Sequence, residues 1–382
     1  MPQSSSLAQL LDALRIPDPP ASRWHRAGFS PRGERIFNVV AVTLLATFAV
    51  GWSWSIAAAP AGATSGGVSP ATASITSALS DIDAPATAFL TQAAIAAFSP
   101  LRGESGKLRA AIEAAGEPLE TEPLPPGAHA GVTTDADPDS LAPLVTPPTA
   151  GISGIAVKVG TAIKPVADFS VITLRPFSDK RRGRIGLYYL GNWPTERGRR
   201  PTGYVNPTGF IEVTPENQDT YVSDHFRLRD FLTKNQGNVW PKYLVLDTRL
   251  LDKLELVLGE LRERGIPTAG VRVMSGFRTP AYNESGGNPR GRADLSRHMY
   301  GDAADIYIDN DGDQHMDDLD GDGRATLRDA RLILEAVERV ESDFPSLIGG
   351  TGIYATTRAH GPFIHIDTRG YRARWVESGG SQ

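Results

Sequence analysis

The chain contains no cysteine. That excludes disulfides, thiolate nucleophiles and every zinc site built on sulfur. Histidine is scarce too, with seven in 382 residues, so a metal held by imidazole and carboxylate has few places to sit. There is no surplus of positive charge: 39 Lys and Arg stand against 44 Asp and Glu, a net charge of −5. A general nucleic-acid binder shows a basic face that this balance does not supply, so no nucleic-acid partner is expected. Charge is missing altogether between Arg35 and Asp81.

That uncharged stretch begins with an apolar run over 36–58, close to the ~20 residues that span a bilayer. Arg23, Arg26, Arg32 and Arg35 precede it and place the N-terminus, 1–35, in the cytoplasm. Trp52 and Trp54 suit the far interface. The reading is a single-pass signal anchor that exports the rest of the chain to the periplasm or extracellular space. The competing reading is a cleaved secretory leader ending near Ala57, Ala58 and Ala59, although ~35 residues before the apolar run is long for one.

At about 150 residues per domain, the length allows two or three folded units. Residues 59–150 are rich in Ala, Pro, Ser and Thr and read as a flexible tether, with helical patches over 85–98 and 107–115. Residues 151–221 read as a β-rich extension, with short strands over 152–159, 169–174, 184–190 and 209–213. The basic run Lys180 to Arg184 fits a solvated hairpin, or a grip on an anionic polymer. From 222 the pattern changes again. Leu250, Leu251, Leu254, Val257, Leu258 and Leu261 recur at i, i+3 and i+4, an amphipathic helix stopped by Gly265-Ile266-Pro267. A strand over 270–274, a helix over 327–340 and a strand over 362–367 follow. Helices and strands without regular βαβ alternation point to the α+β class.

Four of the seven histidines, His298, His315, His360 and His365, lie in the last quarter of the chain. His298 precedes Asp305 by seven residues, and His365 precedes Asp367 by two. A catalytic zinc takes three protein ligands and leaves one position open. His298, Asp305 and His365 supply that set. On a strand, residues 363, 365 and 367 share a face, so Asp367 can orient His365 from behind.

Ser-Arg-His-x-x-Gly-x-Ala-x-Asp at 296–305, Ser-Gly-Phe-Arg-Thr at 275–279 and His-Ile-Asp with Arg-x-Arg-Trp at 365–375 resemble the zinc D-Ala-D-Ala carboxypeptidase/endopeptidase family, whose fold is the α+β hedgehog/DD-peptidase fold. The likeness covers about 222–376. It implies a zinc peptidase domain, with His298, Asp305 and His365 as ligands and Arg278 contacting substrate and stabilising developing charge. Many members carry an acid three residues before the second histidine ligand as general base. Here that position is Pro362, which leaves His360, and after it Asp367, as candidate bases.

Between the zinc motifs lies an acidic insertion, 309–329. Asp318, Asp320, Asp322, Gly323, Thr326 and Asp329 occupy positions 1, 3, 5, 6, 9 and 12 of an EF-hand-like loop, with Arg324 offering its carbonyl at position 7. Asp at position 12 resembles dockerin-type calcium loops. Asp309, Asp311, Asp313 and Asp317 make a second, weaker calcium site. The combined expectation is a membrane-tethered zinc metallopeptidase that hydrolyses D-Ala-containing bonds of peptidoglycan stem peptides, with Zn2+ and Ca2+ as cofactors. Its alternative is a catalytically inactive, zinc-containing wall-binding module, which Pro362 would explain.

Overall fold

The computed structural model describes residues 97–377, apart from 125–126, 135–136, 160–161, 200, 286–292 and 359. The expected cytoplasmic segment, 1–35, the expected membrane anchor over 36–58 and the part of the expected tether up to residue 96 lie outside the described residues. Among the described residues no helix is long and apolar enough to cross a membrane.

The first half is sheet. Strands β1 (Ala110–Glu113), β2 (Ala128–Thr134), β3 (Asp137–Ala142), β4 (Gly151–Val159) and β5 (Ala162–Thr173) form one five-stranded sheet in the order β1-β5-β4-β2-β3. The tether expectation therefore needs correcting from residue 97 onward. Residues 107–115 are not a helical patch either: β1 pairs in parallel with β5, Ala110 opposite Ser170 and Ile112 opposite Ile172. The physical reason is the period. Leu108, Ala110 and Ile112 point into one core, while Ala111 points into a second core with Phe98, Leu119, Val132, Ile155, Val157 and Val171. Alternation of period two is what a strand between two apolar layers requires. Helix propensity in an Ala-rich stretch is a weak prior that such packing overrides.

Neither expected boundary falls between separate units. At 150/151, β4 and β5 share their sheet with the strands before them. At 221/222 the chain is bridged by a three-stranded sheet, β10-β9-β6, made of β6 (Arg175–Pro176), β9 (Gly209–Val213) and β10 (Lys242–Leu244). One core holds Leu190, Trp193 and Phe210 from before that point and Phe226, Phe231 and Tyr243 from after it. Residues 184–190 are a tight hairpin of two short strands, β7 (Arg184–Ile185) and β8 (Tyr188–Tyr189). Within the basic run, Lys180 is buried and gives its ammonium to Gly191 O and Glu196, while Arg181, Arg182 and Arg184 are exposed.

The second half is a five-stranded sheet with two long helices. Strands β11 (Val271–Ser275), β12 (Ala303–Ile308), β13 (Gly350–Tyr354), β14 (Phe363–Asp367) and β15 (Ala373–Glu377) run in the order β11-β12-β14-β13-β15. Helix α1 (Thr248–Glu263) starts where the Asp247 carboxylate accepts from Arg249 N. Its six-residue stripe, Leu250 through Leu261, is fully buried, each side chain contributing about 1.5–3 kcal/mol. A short helix, α2 (Pro280–Ser285), follows β11. Helix α3 (Leu327–Asp343) packs on α1 and on β13 and β14, burying Ala330, Ile333, Ala336, Val337 and Val340. The α+β class is thus observed. Alternation on the central strands then sorts function from core: Ala304, Ile306 and Ile308 of β12 and Ile364 and Ile366 of β14 join the core, while Asp305, His365 and Asp367 occupy the opposite face.

A buried cation ties the two layers together. Lys253 of α1 is fully buried, and its ammonium donates to Glu341 of α3 at 2.7 Å and to the Asp367 carbonyl of β14 at 2.8 Å. Burial lowers its pKa and Glu341 opposes that.

Candidate metal centre

Register brings the site together. Asp305 on β12 is the cross-strand partner of His365 on β14, and His365 in turn faces Gly352 on β13. His298 arrives from the one-turn 3-10 helix Arg297–Tyr300, which Gly301 ends at positive φ. That glycine lies against the Val245 backbone, where a Cβ would not fit.

Three atoms converge. His298 Nε2 lies 3.2 Å from Asp305 Oδ1 and 3.1 Å from His365 Nδ1, and His365 Nδ1 lies 2.9 Å from Asp305 Oδ1. All three residues are buried. The other face of each ligand is already engaged. His298 Nδ1 donates to Gly276 O at 2.7 Å, which leaves Nε2 as a bare lone pair. His365 Nε2 donates to Asp367 Oδ2 at 3.1 Å, which turns the Nδ1 lone pair inward. Asp305 Oδ2 accepts from Arg278 Nη2 at 2.5 Å. Three electron-rich atoms about 3 Å apart repel one another unless a proton or a cation sits among them. Their spacing is close to the ~3.3 Å edge of a tetrahedron around a metal with bonds of about 2.0–2.1 Å. This group can hold a metal ion.

The titration directions agree. Burial lowers His298, only partly offset by Asp305. Burial also acts to lower His365, but its hydrogen bonds to Asp305 and Asp367 carry it above its ordinary value. Burial would raise Asp305; the flanking histidines and Arg278 hold it well below the usual carboxylate range. Of the two histidines, His365 is therefore the one that holds a proton more readily than an ordinary imidazole.

The remaining sequence candidates divide. Arg278 has two donors committed, Nη2 to Asp305 and Nε to Ser275 Oγ at 2.8 Å, so its visible task is to fix Asp305. Asp367 is fully buried and saturated: it accepts from Gly350 N, Arg369 N, the Arg369 guanidinium and His365. A carboxylate so occupied orients a ligand rather than receiving a proton from water. His360 stands outside the converging group, its ring edge-on to Phe363 at 4.8 Å and its Nδ1 at 2.8 Å from Gly361 O.

The acidic loop also differs in detail from its motif. Asp318, Asp320 and Asp322 come together, as do Asp309, Asp311 and Asp317. Asp329 does not join the first group. Its Oδ1 accepts from Leu319 N and Asp320 N and its Oδ2 from Thr326 N. Thr326 caps α3 by accepting from Arg328 N. The same Thr-x-x-Asp spacing that reads as calcium positions 9 and 12 is a helix capping box, and the fold uses it as one. Arg324 donates its N–H to Asp322, and Asp313 accepts from His315 N and stands outside the second group.

Four residues escaped sequence reasoning, three glycines and a tyrosine. Gly349, Gly350 and Gly352 clear the sheet face: a Cβ at 349 would strike the Asp367 carbonyl, at 350 the Asp367–Arg369 pair, and at 352 the Trp375 indole. Because Gly352 has no side chain, that indole lies over the strand, 5.2 Å from the His365 ring. Tyr354, the fourth, stacks on Phe363 at 4.4 Å and accepts from Trp375 Nε1 at 2.9 Å. The signal was the Gly-Gly-x-Gly-x-Tyr spacing just before the His-x-Asp strand. Comparison with protein-family models, with curated proteins and with solved structures finds no match for this chain.

Proposed function

We propose that the chain is a metal-dependent peptidase of the zinc D-Ala-D-Ala type, with the hedgehog/DD-peptidase fold as its second half, acting on D-Ala-containing bonds of peptidoglycan stem peptides outside the membrane. The observation that carries the metal is the convergence of His298 Nε2, Asp305 Oδ1 and His365 Nδ1, each turned inward by an outer partner. The substrate class rests on the resemblance of 275–279, 296–305 and 365–375 to that family.

Bound zinc would supply Lewis acidity at the scissile carbonyl. His298, Asp305 and His365 hold it. Arg278 keeps Asp305 anionic and aimed, and Asp367 keeps His365 in the tautomer whose Nδ1 is free. The proton-accepting task performed by an acid at the position of Pro362 falls to His360 in this reading. Calcium at Asp309, Asp311 and Asp317 would anchor the end of the strand that carries Asp305, since Asp309 immediately follows β12; a second calcium would take Asp318, Asp320 and Asp322.

The test is product analysis. Full-length, zinc-loaded chain is incubated with pentapeptide muropeptides and with cross-linked dimers, beside His365→Ala, and products are read by mass spectrometry. Release of terminal D-Ala identifies a carboxypeptidase, and cleavage of dimers alone an endopeptidase. No product from either substrate with zinc bound refutes the peptidase and leaves the wall-binding module, with Pro362 as its cause.

A further inference from the structure

If the site hydrolyses peptides, it needs a donor for the oxygen that gathers negative charge as water adds to the scissile carbonyl. Arg278, the residue the resemblance puts forward, has its Nε and Nη2 committed to Ser275 and Asp305. The sheet offers another donor. Tyr354 pairs in register with Phe363, two residues before His365, so it stands on the face of the sheet that carries the ligands. Its ring lies flat on Phe363, with 5° between the planes. Trp375 bridges the tyrosine and the ligand: its indole packs on His365, and its Nε1–H donates to Tyr354 Oη at 2.9 Å.

A phenol that accepts from an indole N–H can still donate its own hydrogen. We propose that Tyr354 contacts substrate in this site, its hydroxyl donating a hydrogen bond to the developing oxyanion. The proposal rests on the peptidase reading. Burial raises the Tyr354 phenol to about 12, so at neutral pH it is a donor and not a base. No proton leaves Tyr354. Water adds to the carbonyl carbon and gives up a proton to His360, the C–N bond breaks, the departing amine takes that proton, and the phenol only shares its hydrogen with the oxygen. Such a donor costs nothing to reorganise, because Phe363 and Trp375 already hold it.

The discriminating variant is Tyr354→Phe, which keeps the ring on Phe363 and removes only the hydroxyl. The probe is the phosphinate analogue of D-Ala-D-Ala, whose anionic tetrahedral centre mimics the charged stage, titrated by calorimetry into full-length zinc-loaded chain beside the product peptide. The expected result is phosphinate binding weakened roughly 10- to 100-fold, with product binding, zinc content and melting temperature unchanged. On a cleaved substrate, kcat should fall by a similar factor with KM held. Equal weakening of phosphinate and product would make Tyr354 a wall of the site, and no change in either would remove it; both overturn the proposal. If the wild-type chain cleaves nothing, the peptidase reading fails by itself while the phosphinate-to-product ratio still decides Tyr354. Absence of phosphinate binding by the wild-type chain overturns both.

Discussion

Acid should expel the metal from this site with the stoichiometry of a single proton. His365 is the reason. Its pKa lies above the ordinary histidine value because Asp305 and Asp367 hold its two nitrogens, whereas His298 is pushed down by burial and Asp305 stays ionised far into acid. Metal needs His365 Nδ1 bare. Above the raised pKa the group is already neutral and affinity should be flat with pH. Below it, one proton must leave for each metal bound, so affinity falls tenfold per pH unit, or about 1.4 kcal/mol. His298 adds its proton only at lower pH than His365, because burial depresses its pKa. The assay is competition with a chromophoric chelator from pH 9 to pH 5 at fixed ionic strength. The expected plot of log affinity against pH is level and then has slope one. Slope two would mean that both histidines protonate, and a level line to pH 5 would mean that His365 is not a ligand; either refutes the reasoning.

Asp367→Asn removes the negative charge behind His365 and leaves one acceptor oxygen for Gly350, Arg369 and His365 to share, so zinc affinity should drop about 10- to 100-fold, read by the same competition at pH 8. Gly352→Ala puts a methyl group into the Trp375 indole, and the overpacking should cost about 1–3 kcal/mol in a urea melt. Were that variant as stable as wild type, the indole would have to be free to move. Calcium added to the zinc-loaded chain should raise its melting temperature, and Asp318→Asn with Asp320→Asn should reduce that rise. An unchanged melting curve, with no calcium binding in calorimetry, would leave the loop as a solvated insertion.

The two long helices and the converging ligands were legible because their signals are local. Leu250 to Leu261 repeat at helical spacing, and His298, Asp305 and His365 sit in motifs whose backbone needs are met within a few residues. Of the sheet over 110–173, β4 and the end of β5 were legible as the strands expected over 152–159 and 169–174, whereas β1, β2 and β3 were not. Ala110-Ala111-Ile112 alternates over too few residues to announce a strand, and its partner β5 lies some sixty positions away. Composition then misleads, since Ala and Pro are read as a tether when long-range pairing is invisible. Asp329 shows a different limit. Its spacing satisfies a calcium loop and a capping box equally, and only the backbone N–H groups around it decide between them. Gly352 was silent because its value lies in the absence of a side chain next to a tryptophan 23 positions further on.

Strand β1 has a practical consequence for dissecting the molecule. Ala110 and Ile112 belong to the core that also contains residues of α1 and of the sheet that carries Asp305 and His365, while Ala111 between them belongs to the core of the N-terminal sheet. Ile172 and Val171 of β5 divide the same way. These adjacent strands act as a party wall, each side of which is furnished by a different room. Trimming the chain back to its chemical motifs would remove β1 and open both interiors to water at once. The half that carries His298, Asp305 and His365 and its neighbour are therefore one inheritance: a gene fragment that keeps both cores has to begin no later than residue 97, however far upstream of those three residues that seems.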